Sequence, residues 1–373
     1  MKERIFFPNL DGLRFLAFLG VFIAHYVQRV PGYETNYLLA VISHTGEMGV
    51  NFFFCLSSFL ITYLLLKEYE KTGTISIKGF YIRRILRIWP LYYFIVILGL
   101  VVLPLLKNYF PLPAERANPF YFIFFLYNFE PVVKGLWDAS NIGFVWSIAI
   151  EEQFYLVWPL IIFFINIKRK YLIFLTIIAI SMTFRVIYHS DYLILTYHTL
   201  SVFSDMGLGG LIAWLAINKH HLIKKIDHTS IIAVFYIIGL SLFFLRPVIL
   251  AHPFINIFER LMYSIVFCFI IVEQNFCKNS FYKIGNFRRA SDLGKITYGL
   301  YMYHMFPVVF VHAIFAKYLN IFTQDHLFLS FLIQMIIALA MVIVIASLSY
   351  NLFEKRFLHL KERYSFFVIK SNS

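Results

Sequence analysis

The stretch PNLDGLRFLAFLGVFIAHY, residues 8 to 26, is almost wholly apolar, yet it carries an arginine and a histidine well inside it. A bilayer-crossing helix needs about 20 mostly apolar residues, and this run with its flanks meets that length. It is not a cleaved leader, because Arg14 and His25 interrupt it and no small-residue cleavage pattern follows. It therefore reads as a retained first span. An ionisable group at the bilayer centre costs several kcal/mol, so residues that break an otherwise apolar span mark candidate function.

The rest of the chain repeats the pattern. Of 373 residues 60% are hydrophobic, 20% aromatic and only 14% charged, with a mean hydropathy of +0.74. Soluble domains are about half apolar and about a quarter charged, so this composition excludes one. Ten stretches are long and apolar enough to cross: 10 to 28, 47 to 66, 88 to 106, 143 to 166, 171 to 188, 192 to 217, 229 to 246, 257 to 274, 296 to 316 and 327 to 350. The expected fold is all-α, a polytopic membrane bundle of about ten transmembrane helices forming one integral domain over 1 to 373, with no appended soluble domain. Residues 119 to 130 are too short for a span and read as re-entrant or interfacial.

Short cytoplasmic loops are enriched in Lys and Arg. With both termini placed inside, 24 of the 33 basic residues fall on the inner side and six outside (Arg29, Lys107, Arg116, Lys134, Arg246, Lys317), while Arg14, Arg185 and Arg260 lie within spans. The net charge of +13 is thus spent on topology, and no nucleic-acid patch is indicated. A crossing at 119 to 130 would put Lys168, Arg169 and Lys170 outside, which argues against it. Cys55, Cys268 and Cys277 form no even disulfide framework.

Arg14 and His25 are eleven positions apart, close to three helical turns, so they share a face about 16 Å apart along the axis. Arg14 falls toward the cytoplasm and His25 toward the outer half. An arginine fork suits phosphate, and a histidine can remove a proton from a hydroxyl. From the residues alone, Arg14 snorkelling to headgroups and His25 as an interhelical hydrogen-bond partner explain them equally well. In FYIRRILRIWPLYY, residues 80 to 93, Arg83, Arg84 and Arg87 stand at the mouth of the third span. They suit either the phosphates of a cofactor such as coenzyme A or an anchor to anionic lipid.

WSIAIEEQFYLVWP, residues 146 to 159, sets Glu151 and Glu152 inside a span, at an outer depth read as similar to that of His25. Neighbouring helical residues diverge by about 100°, so only one is expected to face a given cavity. That one could orient His25. YGLYMYHMFP, residues 298 to 307, adds His304 below two tyrosines, Tyr298 and Tyr301, a stripe expected to satisfy itself as a polar network. There is no Gly-rich phosphate loop, paired-Cys metal site, HExxH or GxSxG, so no metal is expected. A transporter or glycan-lipid exporter with Arg14, His25 and Glu151 as an ion relay is the rival reading, although no inverted repeat supports it.

These strings, with MGVNFFFCLSSFLIT and the late YNLFEKRFLHL, occur in an order that closely resembles the acyltransferase family 3 membrane proteins, from residue 8 to about 360. The resemblance implies a multi-pass enzyme of the bacterial inner membrane. Such an enzyme takes an acyl group, often acetyl, from cytoplasmic acyl-CoA as donor substrate and places it on a hydroxyl of an extracytoplasmic or lipid-linked glycan. It maps catalytic roles onto His25 and Glu151 and donor binding onto Arg14, Arg84 and Arg87. Arg83, Glu152 and His304 are supporting candidates. Direct transfer and an acyl-histidine relay stay open. The chain departs from the pattern at Ser57-Ser58-Phe59, where Ser-Gly-Phe is frequent, and at Arg356, where proline is frequent. Some family members carry a fused extracytoplasmic domain; none is expected here, so the chain would act alone or hand the acyl group to another protein.

Overall fold

A computed structural model describes residues 7–106, 117–135, 140, 142–164, 170–318 and 327–364. Lys2, Arg4, Lys107, Arg116, Lys168, Arg169, Lys370 and both chain ends lie outside the described residues.

The long helices are α1 (Pro8–Val27), α2 (Thr45–Thr72), α3 (Ile77–Ile97), α4 (Trp146–Phe164), α5 (Lys170–Ile187), α6 (Thr199–Asn218), α7 (Thr229–Ala251), α8 (Pro253–Phe276), α9 (Thr297–Tyr303), α10 (Met305–Tyr318), α11 (Leu327–Ser349) and α12 (Lys355–Arg363). Among the described residues eight helical segments are long and apolar enough to cross a membrane, and the bent pair α9 and α10 makes a ninth. The fifth expected stretch is the shorter apolar helix around Tyr171–Ile187. The protein is a polytopic helical membrane protein.

Local chemistry sets the helix ends. Proline occupies the first turn of α1 and α8, where its missing N–H costs no helical bond. The Ser76 hydroxyl accepts from the Gly79 amide to start α3. α9 and α10 meet at His304 with a 44° bend. Residues 119–130 hold only short helical turns, Pro119–Ile123 and Tyr127–Phe129, each too short to cross a bilayer. The Tyr92 and Tyr93 hydroxyls donate to the carbonyls of Phe122 and Ile123 at 2.8 and 3.0 Å, pinning this segment to α3.

In lipid, helices gain little from apolar contact alone, and close packing through small residues decides which ones pair. α2 is the hub. A Cβ added at Gly49 would stand 2.5 Å from the Ala17 carbonyl of α1, and one at Gly209 on α6 would stand 2.3 Å from the Cys55 carbonyl of α2. Ser58, at the position where glycine is frequent, donates to the Met206 carbonyl of α6. Gly209 absorbs the extra bulk on the facing helix, so the departure binds α2 to α6 and leaves the site alone. α7 lies at the periphery and presents most of its apolar surface outward. All three cysteines are free and buried.

Buried ions tie the helices together. Arg260 pairs with Asp205 at 2.6 Å, and Arg185 donates to the carbonyls of Ile257 and Leu195. Arg246 bridges Glu47 and Glu259 at 2.5 and 2.6 Å. Glu259 and Arg260 are therefore internal clasps and not boundary charges.

Candidate active site

Two cavities lie between α1, α2, α4 and α9, one toward each end of the bundle. The first, about 110 Å³, is lined by Arg14 of α1, Ser57 of α2, Arg84 and Arg87 of α3, Glu151 and Tyr155 of α4, and Lys295. The second, about 470 Å³, is lined by His25, Arg29, Glu47, Trp146, Tyr192 and Tyr197 among others. Val50 and Tyr301 line both, so the two chambers meet at a thin wall. The Tyr301 hydroxyl is held in that wall, donating to the Phe144 carbonyl at 3.0 Å and lying 2.6 Å from the Ser147 hydroxyl.

The first chamber opens at the basic end, where α12 packs on α3 and the Arg83 guanidinium donates to the Tyr364 carbonyl at 2.7 Å. Its cations outnumber their partners. Arg14 is paired with Asp11 at 2.6 Å, one helical turn away. Arg84 and Arg87 form no salt bridge among the described residues. Arg84 rests between the rings of Phe80 and Tyr155, at 5.4 and 5.3 Å, with its Nε unpartnered. Desolvated guanidinium groups that share one carboxylate, Glu151, and form no direct salt bridge favour a further anionic ligand, and the planar fork matches phosphate.

Arg84 and Arg87 face the chamber because they are three apart on one helix. Arg83, one residue earlier, points elsewhere, 3.5 Å from Glu68 and bonded to the Tyr364 carbonyl. It fastens the C-terminal helix and does not line the chamber. Glu152 likewise turns away from it and accepts from the Trp89 indole at 2.8 Å.

Glu151 requires a correction. It was expected to orient His25, but it lies in the basic chamber, accepting from the Ser57 hydroxyl at 2.8 Å and the Tyr155 hydroxyl at 3.2 Å. The reason is depth. His25 stands two residues from the end of α1, whereas Glu151 stands five residues beyond Trp146, about 7.5 Å further along α4. It is Trp146 that reaches the level of His25.

The ring beside His25 is His304, with centroids 5.1 Å apart. His304 is fully buried at the α9–α10 bend, and its Nδ1 contacts the Tyr301 carbonyl at 2.6 Å. A carbonyl only accepts, so Nδ1 carries the proton, and Nε2 is left without a partner. The expected tyrosine network is looser than the sequence implied, because the Tyr298 hydroxyl donates to Ile88 of α3. Ser57, Lys295, Arg29 and the wall residue Tyr301 were not foreseen as site residues. Arg29 had been counted only as an outer-loop charge, although it lies four residues after His25.

The sequence pattern of the acyltransferase domain matches residues 7–350. The chain belongs to this acyltransferase family. It is similar to a provisionally named O-acetyltransferase of Staphylococcus aureus strain COL, 29% identical over 95% of this chain and 58% of the relative. The peptidoglycan O-acetyltransferase OatA of Listeria monocytogenes is 26% identical over 94% of this chain and 56% of its own length. The O-acetyltransferase OatA of Staphylococcus aureus strain NCTC 8325 is 28% identical over 84% and 52%. The chain spans just over half the length of these relatives. No solved structure matches it.

Proposed function

We propose that this acyltransferase moves an acetyl group from cytoplasmic acetyl-CoA to a hydroxyl of an extracytoplasmic or lipid-linked glycan, in the inner membrane of a bacterium. The observation that carries the reading is the pair of chambers meeting at Val50 and Tyr301, one lined by an excess of cationic side chains and the other by His25. Homology to enzymes named for O-acetylation, one of them acting on peptidoglycan, favours acetyl as the group and a cell-envelope glycan as the acceptor.

In this reading the donor phosphates bind Arg84 and Arg87, with Arg14 and Lys295 beside them, and the narrow pantetheine arm passes the wall to present its thioester near His25. His25 takes the proton of the acceptor hydroxyl as its oxygen attacks the thioester carbonyl. The carbon–sulfur bond breaks, and the departing thiolate recovers that proton as coenzyme A. His304, fixed by the Tyr301 carbonyl, holds the His25 ring in place. Glu151 acts with the donor cations and not on the base. The apolar bundle around the wall keeps out water that would hydrolyse the thioester.

The test is transfer of labelled acetyl from acetyl-CoA into a glycan fraction by membranes holding the native protein or His25→Ala, with acetyl-CoA binding measured in parallel. Transfer should vanish in His25→Ala while donor binding persists. Full transfer by that variant would refute the role of His25, and absence of acetyl-CoA binding by the native protein would refute the donor.

A further inference from the structure

The second chamber holds a cation that the transfer chemistry does not use. Arg29 lines it four residues after His25, on the turn that continues α1, and the backbone there stays helical enough for the Gln28 amide to reach the Ala24 carbonyl at 2.9 Å. Its Nε is buried without a hydrogen-bond partner, and the side chain forms no salt bridge among the described residues. Burial draws the guanidinium down from its ordinary range. The carboxylate that shares the lining, Glu47, is already committed, to Arg246 at 2.5 Å and to the Tyr192 hydroxyl at 3.1 Å. Among the described residues the chamber thus keeps a partly desolvated arginine without an ion-pair partner beside the proposed base, an arrangement that is costly until an anion fills it.

We propose that this chamber binds the acceptor through an anionic group of a saccharide, a carboxylate or a phosphate, paired with Arg29, and that this pairing selects charged over neutral glycans. Arg29 stands in the turn just past α1, its amide reaching the Tyr26 carbonyl at 3.1 Å, and its side chain lines the same chamber as His25. An anion on Arg29 would therefore hold a hydroxyl about one sugar-ring width away, within reach of His25. Trp146 and Tyr197, packed edge to face at 5.0 Å in the same lining, supply apolar surface for the ring. The role of the bound hydroxyl rests on the acyltransfer reading; the anion preference does not.

The test uses the purified full chain in lipid nanodiscs without any acyl donor. It is titrated calorimetrically with N-acetylglucosamine, N-acetylmuramic acid, which adds a carboxylate, and N-acetylglucosamine 1-phosphate, which adds a phosphate. At least one anionic sugar should bind about tenfold or more tightly than the neutral one, and the preferred one identifies the group. The preference should weaken with salt, collapse in Arg29→Gln and largely survive in Arg29→Lys, with thermal melting confirming that both variants are folded. Equal affinities in the native protein, or a preference retained by Arg29→Gln, would overturn the proposal. With no donor present, that result leaves the transfer reading untouched, and failed acetyl transfer would leave the anion preference standing.

Discussion

Arg83 and Arg84 are neighbours in sequence, and replacing each with glutamine should separate them in a single assay. Arg84 lines the basic chamber with no ion-pair partner, whereas Arg83 stands outside it, held by Glu68 at 3.5 Å and by the Tyr364 carbonyl at 2.7 Å. A hydrogen bond to a charged group contributes about 1.5–3 kcal/mol, and about 1.4 kcal/mol is tenfold in affinity. If Arg84 grips a donor phosphate, Arg84→Gln should raise the Kd for acetyl-CoA by about 10- to 100-fold, and Arg87→Gln by a similar factor. Arg83→Gln removes a charge outside the chamber and should leave the Kd within about threefold. Its effect belongs instead to the docking of α12, and should appear as faster proteolysis near residue 364. Isothermal titration of the detergent-purified variants reads the Kd directly. Equal losses at Arg83 and Arg84 would mean that the arginines act as a diffuse basic surface, and the chamber reading would fail.

Other outcomes follow from the packing. Arg246→Leu strands two carboxylates and should destabilise the fold by about 3–5 kcal/mol in a thermal melt, since an uncompensated buried charge remains. Adding Glu259→Gln should restore much of that loss, because Glu259 is the more buried partner, its side chain 9% exposed against 35% for Glu47. Gly209→Leu forces a side chain into the Cys55 carbonyl and should abolish folded yield, judged by size-exclusion chromatography, while Gly73→Ala, at a left-handed helix cap with nothing within 4 Å of its added Cβ, should cost only about 1–2 kcal/mol of backbone strain and still give folded protein. At the basic end, Asp227 accepts from the Lys278 and Asn279 amides, which hold its carboxyl below the ordinary value of 3.8. Because the folded value is depressed, the stabilisation is complete above pH 3.8 and is lost as pH falls through the lower folded value. Hydrogen exchange at residues 278 and 279 should show it, with protection independent of pH above that range, and Asp227→Asn should lower protection at neutral pH.

The ten apolar stretches could be read directly, because a bilayer imposes a length and a polarity that any ordered run of residues either meets or does not. The same logic identified Arg14, His25, Arg84 and Arg87, since each breaks an apolar or helical pattern at a cost that demands a reason. It also separated Glu151 from Glu152 by the angle between adjacent helical side chains. Spacing along one helix carried the sharing of a face by Arg14 and His25. The same spacing, read four residues further on, would have added Arg29.

What the sequence by itself determined is thus a membrane bundle, its family and the set of polar groups that lipid cannot tolerate without purpose. What only the tertiary structure decided is which of those groups meet. Glu151 serves the arginines and not His25, His304 stands beside His25, and Arg83 leaves the site altogether. The physical reason is that helical periodicity fixes direction and depth within one helix. The relative depth and crossing of two helices are set by small-residue contacts such as Gly49 against Ala17 and Gly209 against Cys55, and these join positions far apart in the chain.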